Sequence, residues 1–425
     1  MNTQSQAPTE NGAQAPLSPI LRSGIPGFPG ILLGLLLTLS CTMIGVSLCA
    51  LLPAVGFSEA PVRILAIATL VLLTLYTWRL TRTIRPIIIT LILVGAAMLY
   101  LTGSVVLTAA YASLLFTIGE GSLLLAVITR KQMALIPLIP LVAYAATLVL
   151  TSDPLGAATV LIPFPPMMAL AFGTRRSADR EDGPTRVGVI CITSLALGAS
   201  LVAAVAVAVY HHLGTLDPTA LLEALDSFRE LLIQRITSAE IPDGLPAETV
   251  AELEKMLTYS SAKNVVDSVF NLLPALFVVM VNLLSAAAQA LQHAALRIFG
   301  FGDSITLRVR VFRMSLISCV VFLVAYLVAL LENGDTSTLA GTVAQNVYTI
   351  LLPGLAMAGM LRIMMSLARK GPRGLGCLFY LLLLLPLLLI FAPFLLAAVE
   401  VIGHIVSAIA AAFKDPEDED PFGRG

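Results

Sequence analysis

Apolar stretches separated by short polar connections recur along most of the chain, at Ile31–Leu52, Ile64–Trp78, Ile87–Leu101, Val105–Val127, Met133–Leu150, Leu155–Phe172, Val187–Tyr210, Leu272–Leu296, Met314–Leu331, Gly341–Met365, Leu375–Ile390 and Phe394–Phe413. About 20 apolar residues in a row span the hydrocarbon of a bilayer as a helix. The pattern predicts an all-α, polytopic membrane protein of about 12 transmembrane helices. The second, third and eleventh runs are short for a crossing, so a count differing by one hairpin fits the same pattern.

One segment breaks the rhythm. From His211 to Asn271 the chain turns polar and acidic, with Asp217-Pro218 as a helix start followed by Leu221, Leu222, Leu225, Phe228, Leu232 and Ile236 at helical spacing. After the breaker "IPDGLP" a second pattern uses Val250, Leu253 and Leu257 and runs on towards the next apolar run. Two short helices cannot bury a self-sufficient core, so this insertion is expected to pack on the membrane domain, the bilayer surface or a partner. The resulting order is a disordered tail (1–30), an N-terminal membrane half (31–173), a basic loop (174–186), a seventh helix (187–210), the helical insertion (211–271), the C-terminal membrane helices (272–413) and an acidic tail (414–425).

Composition agrees with lipid as the main solvent: 58 % of the 425 residues are hydrophobic and 12 % charged, with a mean hydropathy of +0.93, where a soluble surface needs about 25 % charge. The distribution of positive charge sets an orientation. With the N-terminus in the cytoplasm, every Lys and Arg falls on the inner side except Arg63, Arg229, Arg235, Lys255 and Lys263, and four of those five lie in the long insertion, where the positive-inside rule is weak. Both termini are then cytoplasmic and the insertion is extracytoplasmic. The start of the chain lacks the pattern of a secretory signal.

Polar residues inside the apolar runs are the candidates for function, because such groups avoid lipid and face neighbouring helices or a wet cavity. Asn282, Gln289 and His293 share one helix face with Ala286, and Gln292 lies beside it. Gln345, Asn346 and Thr349 precede Pro353 and Gly354, a pair that reads as a kink or as a discontinuous, ligand-binding helix. Glu120, in "FTIGEGSLLL", is the acidic residue well inside an apolar run of the N-terminal half. Glu400 and His404 stand one helical turn apart. Gly34, Cys41, Gly45 and Cys49 form a small-residue stripe fit for helix contact, within the protein or with another membrane protein.

Catalytic and metal signatures are not found. "SSAK" at Ser260–Lys263 lacks companion motifs, and His211-His212 lacks the further ligands that zinc needs. No phosphate-binding loop or dinucleotide fingerprint occurs, and no cofactor is expected. The basic residues orient helices and do not form a nucleic-acid surface. The cysteines lie in apolar runs, which argues against a disulfide framework.

The order of parts, with "LLPAL" at Leu272–Leu276, Asn346 and Gly359, resembles the bacterial predicted membrane proteins grouped as domain of unknown function 2232, or YybS-like. That resemblance implies a bacterial plasma-membrane location and carries no assigned activity. Its N-terminal half is similar to the substrate-binding subunits of energy-coupling-factor vitamin transporters, whose first helix meets a shared partner. Two functional expectations follow. One is a small-solute binding or transport module lined by Glu120, Asn282, Gln289, His293, Gln345, Asn346 and Thr349. The other is a non-enzymatic scaffold that recruits cell-envelope or division proteins. Neither is an enzyme.

Overall fold

The structure is a computed structural model. It describes residues 28–50, 59–80, 104–127, 137–179, 186–215, 217–239, 249–250, 255, 257–298, 314–332, 338–368 and 393–412. Among these residues the regular structure is helical: α1 (Phe28–Ala50), α2 (Glu59–Leu80), α3 (Val105–Val127), α4 (Leu138–Thr151), α5 (Pro154–Ala158), a 3₁₀ turn (Thr159–Leu161), α6 (Phe164–Asp179), α7 (Arg186–Leu213), α8 (Pro218–Thr237), α9 (Tyr259–Ile298), α10 (Leu316–Leu331), α11 (Leu339–Ala368) and α12 (Pro393–Ala412). Six of the described segments are long and apolar enough to cross a membrane, and α2, α4, α10 and α12 are shorter apolar helices. The protein is an all-helical, multi-pass membrane protein. The third and eleventh predicted crossings and the C-terminal tail lie outside the described residues, as does the N-terminal tail up to residue 27; residues 28–30, expected to be part of it, open α1.

The predicted sixth crossing is not one helix. Its apolar run is interrupted by α5, the 3₁₀ turn and a turn at 162–163 before α6 begins. Proline chemistry explains the break. Asp153 caps α5 by accepting from the Leu155 N–H, and Pro154 fills the first turn. Pro163 has no N–H to extend the 3₁₀ turn, while Pro165 and Pro166 sit in the first turn of α6, where N–H groups have no helical partner anyway. Conversely, α11 runs unbroken through Pro353, so of the two readings given for that position the discontinuous helix does not occur.

The chain folds into two compact units. The first holds residues up to Gly214 together with 284–308. Its core is built on α3, which packs on α1, α2 and α6. Leu33, Leu37, Phe116, Leu123, Ala171 and Leu296 form one apolar cluster there. Along α1, Cys41 meets Ala143 and Val160, Gly45 faces Thr147 and Val160, and Cys49 lies against Gly156. Those three members of the small-residue stripe are thus covered by the protein's own α4 and α5 region, whereas Gly34 has open space around it.

The second unit holds 215–283 and 309 onwards. Here α8 lies against the first turns of α9, burying Ile233 with Ala262 and Val266. Arg229 reinforces this contact, 3.4 Å from Asp267 and 4.9 Å from the centre of the Phe270 ring. The 40 residues of α9 make a single helix, about 60 Å long at 1.5 Å per residue, so the last part of the insertion, from Tyr259 to Asn271, and the eighth crossing are continuous. The remainder of this unit is a bundle of α10, α11 and α12, centred on Cys319, Phe322, Leu355, Ala397 and Val401.

Candidate functional site

Hydroxyl groups in the apolar helices mostly satisfy themselves. Thr42, Ser47, Thr69, Thr147, Thr151 and Thr193 each donate to the carbonyl four residues back, at 2.7–2.8 Å, which spares lipid or core an unpaired polar atom. The exceptions locate the unusual chemistry. Ser113 on α3, Ser40 on α1, Ser194 on α7 and Ser285 on α9 are buried with no hydrogen-bond partner among the described residues, and Thr117 on α3 turns to the Cys41 thiol of α1 and not to its own helix. Ser113 and Thr117 lead, at four- and three-residue steps along one face of α3, to Glu120.

Glu120 is fully buried. One carboxylate oxygen accepts from the Tyr76 hydroxyl of α2 at 3.2 Å, and the Tyr76 ring stands edge-on to Phe116, centroids 5.4 Å apart. The other oxygen, Oε1, has no partner. Glycines on both sides bring helices close around this carboxylate. A Cβ on Gly119 would lie 2.9 Å from Leu291 and 3.1 Å from the Ala288 carbonyl of α9, and one on Gly121 would overlap the Met167 sulfur of α6. In the sequence, those bracketing glycines were the available sign that Glu120 sits at a close helix contact.

The face of α9 that enters this core is offset from the expected stripe. Ser285, Ala288, Gln292 and Ala295 are its innermost residues, Gln289 is also buried, and His293 is half-buried. Thr174 of α6 lies 2.9 Å from Gln292 Oε1 and 2.8 Å from the Leu170 carbonyl. One hydroxyl proton cannot serve both acceptors, so the amide orientation that satisfies the pair has the Gln292 nitrogen donating to Thr174 while Thr174 donates to Leu170. Glu120, Gln289 and His293 therefore belong to the first unit. Asn282, which is exposed, and Gln345, Asn346 and Thr349 belong to the second.

Asn346 has a role of its own in the second unit. Its side-chain nitrogen donates to the Asn271 carbonyl at 2.7 Å and to the Thr342 carbonyl at 2.9 Å, and its oxygen accepts from the Ala275 N–H at 3.1 Å. Asn271 and Ala275 are the two ends of one helical hydrogen bond, beside Pro274 inside α9. Proline opens a helix by removing one donor and crowding the turn before it. The Asn346 amide, itself shaped like a peptide group, splints that opened turn and in doing so commits both its hydrogens to backbone.

A third polar group lies where α11 meets α12. The Arg362 Nε donates to Glu400 Oε2 at 2.7 Å, and His404 Nε2 lies 3.2 Å from Glu400 Oε1, with Glu400 buried. Arg362 lies within α11 and supplies a counter-charge to the Glu400–His404 pair. Two glycines make room: a Cβ on Gly359 would overlap the Leu396 carbonyl, and one on Gly403 the Arg362 guanidinium. At the far end of α7, His211 pairs with Asp153 at 3.0 Å, a contact that no spacing in the sequence announced. No group of three or more metal-ligating side chains occurs among the described residues.

The chain matches the family described as Predicted membrane protein (DUF2232) over residues 105–405. It belongs to that family. The matched region begins at α3, with Glu120, and runs to α12, with the Glu400 group, so it contains Glu120, Asn346 and Glu400 but not Tyr76 of α2. Neither the curated proteins nor the solved structures gave a match.

Proposed function

We propose that this DUF2232 protein is a membrane-embedded, non-enzymatic module that binds or transports a small solute, with Glu120 as the anchoring group. The observation that carries the reading is a buried carboxylate with an unpartnered oxygen, among unpartnered hydroxyls, in the core of the first unit. Asn346 has its oxygen and both its hydrogens engaged with backbone; Glu120 keeps one carboxylate oxygen without a partner. Ionisable residues within membrane helices serve solute or ion handling by default. Gln289 and His293, on the adjoining stretch of α9, are the secondary residues of this reading. The proposal places the protein in a bacterial plasma membrane with both termini in the cytoplasm, following the asymmetry of Lys and Arg.

The test is thermal unfolding of the purified full-length chain against a broad metabolite library. A stabilising compound is expected, and its shift is expected to vanish in Glu120→Ala. Absence of any shift across the library removes the solute reading.

A second reading, a scaffold for envelope or division proteins, is favoured by one feature. The helix α8 leaves Leu222, Phe228 and Leu231 exposed beside Glu223, Asp226 and Glu230, a surface fit to receive a protein partner. Removing residues 217–239 is expected under that reading to abolish crosslinked partner capture while the chain still inserts. Capture that survives the removal rules out α8.

A further inference from the structure

We infer that Glu120 is the binding site for one monovalent cation, a proton or a sodium ion, enclosed in the first unit. This deepens the proposed solute module and rests on it only for the idea that the site serves transport.

Charge comes first. Among the described residues the buried chargeable side chains are Glu120 and Glu400. Glu400 has Arg362 at 2.7 Å, whereas Glu120 has only a neutral phenol. A carboxylate buried without a counter-charge is strongly unfavourable, and a single positive charge at Oε1 balances it. The side chain bonded to it, Tyr76 of α2, supplies no such charge. The other buried or half-buried polar groups on the elements packed around α3 include Cys41 on α1, Thr174 on α6, and Gln289, Gln292 and His293 on α9. No lysine, arginine or second carboxylate is buried among the described residues of this unit.

Donor chemistry and size then narrow the ligand. Ser113 shares the Glu120 face of α3 and has not spent its hydroxyl on its own helix, so this oxygen and the carboxylate suit a hard cation. One carboxylate matches one charge, which disfavours a divalent ion. The packing leaves little room: Gly119 meets the Ala288 carbonyl and Gly121 meets Met167. Helices held this close at the residues on either side of Glu120 favour a proton or a bare monovalent ion at Oε1 itself. Uptake is simple addition, in which Glu120 Oε1 gains one H⁺ or Na⁺ and the site passes from one negative charge to none.

The test is modification of the full-length protein in native membrane vesicles by dicyclohexylcarbodiimide, which adds the O–H of a protonated carboxyl across its C=N bond to give a covalent adduct. Mass spectrometry reads the adduct on the peptide containing Glu120. Modification is expected to fall as pH rises and to be absent in Glu120→Gln. At fixed pH, protection by sodium but not potassium identifies a sodium site, and dependence on pH alone identifies a proton site. Tyr76→Phe, which keeps the ring, is expected to change the half-effective cation concentration about tenfold, the scale of one hydrogen bond to a charged group. Glu120 that stays unmodified under all conditions, or is modified regardless of pH and salt, overturns the inference. Cation-dependent modification in a protein that no metabolite stabilises keeps the cation site and discards the solute reading; a metabolite shift without such modification does the reverse.

Discussion

Single side chains in this protein divide into those that repair backbone and those that carry charge. Asn346 is of the first kind, and its dependence on Pro274 can be measured. Asn346→Ala leaves the Ala275 N–H and the Asn271 carbonyl without that partner, and is expected to cost about 1–3 kcal/mol, the penalty for unsatisfied buried groups. In a Pro274→Ala background the turn closes on its own hydrogen bonds, so the cost of Asn346→Ala is expected to fall by more than half. Denaturant titration of the four proteins in detergent gives the coupling; equal costs in both backgrounds contradict the splint. Glu400 is of the second kind. Arg362→Met is expected to destabilise by roughly 3–5 kcal/mol because the carboxylate stays buried with one partner gone, while the pair Arg362→Met with Glu400→Leu is expected to recover most of that loss. The same titration decides whether the double change is milder than the single one.

At the level of helices, glycine sets how near two of them come. A Cβ at Gly359 meets the Leu396 carbonyl, and backbone cannot rotate away as a side chain can. Gly359→Ala is expected to separate α11 from α12 and lower the unfolding midpoint by several degrees. Gly34→Ala on α1, where nothing lies within 4 Å, is expected to be neutral or slightly stabilising, since alanine favours helix. A thermal scan of the two variants side by side tests this. The apolar runs were legible because a spanning helix in lipid must bond its own backbone and show apolar side chains on most of its surface. The break at 159–163 was harder to see. Its prolines stand in an unbroken apolar run, while Pro353, in a similar setting, leaves α11 intact. Whether a proline breaks a helix depends on how many follow and on what neighbours repair the gap, and neighbours are not written locally. For the same reason Glu120 was visible as a charge out of place, but Tyr76, 44 residues earlier, and Arg362, 38 residues before Glu400, were not visible as their partners.

For the whole molecule, the arrangement of basic residues carries the proposed orientation, and the exposed Ser227 on α8 offers a direct check. Ser227→Cys in intact cells is expected to react with a membrane-impermeant maleimide before permeabilisation, since α8 is proposed to face outward. Reaction only after permeabilisation inverts the topology. It leaves the cores of the two units unchanged, because those rest on packing and not on which side faces the cytoplasm. What a one-dimensional pattern lacked at this scale was the division of the chain into units: residues 284–308 join the N-terminal part although they follow the insertion, and no change of composition marks position 284.

The helix α10 has a consequence for the lipid itself. It is 16 residues long and closed by Ser315 at one end and Glu332 at the other, so its apolar length is about 24 Å against a hydrocarbon thickness of about 30 Å. Polar caps resist being drawn into oil, and tilting shortens the reach of a helix further. As a crossing, α10 is expected to draw the acyl chains beside it closer together and to favour short-chain phospholipids as neighbours.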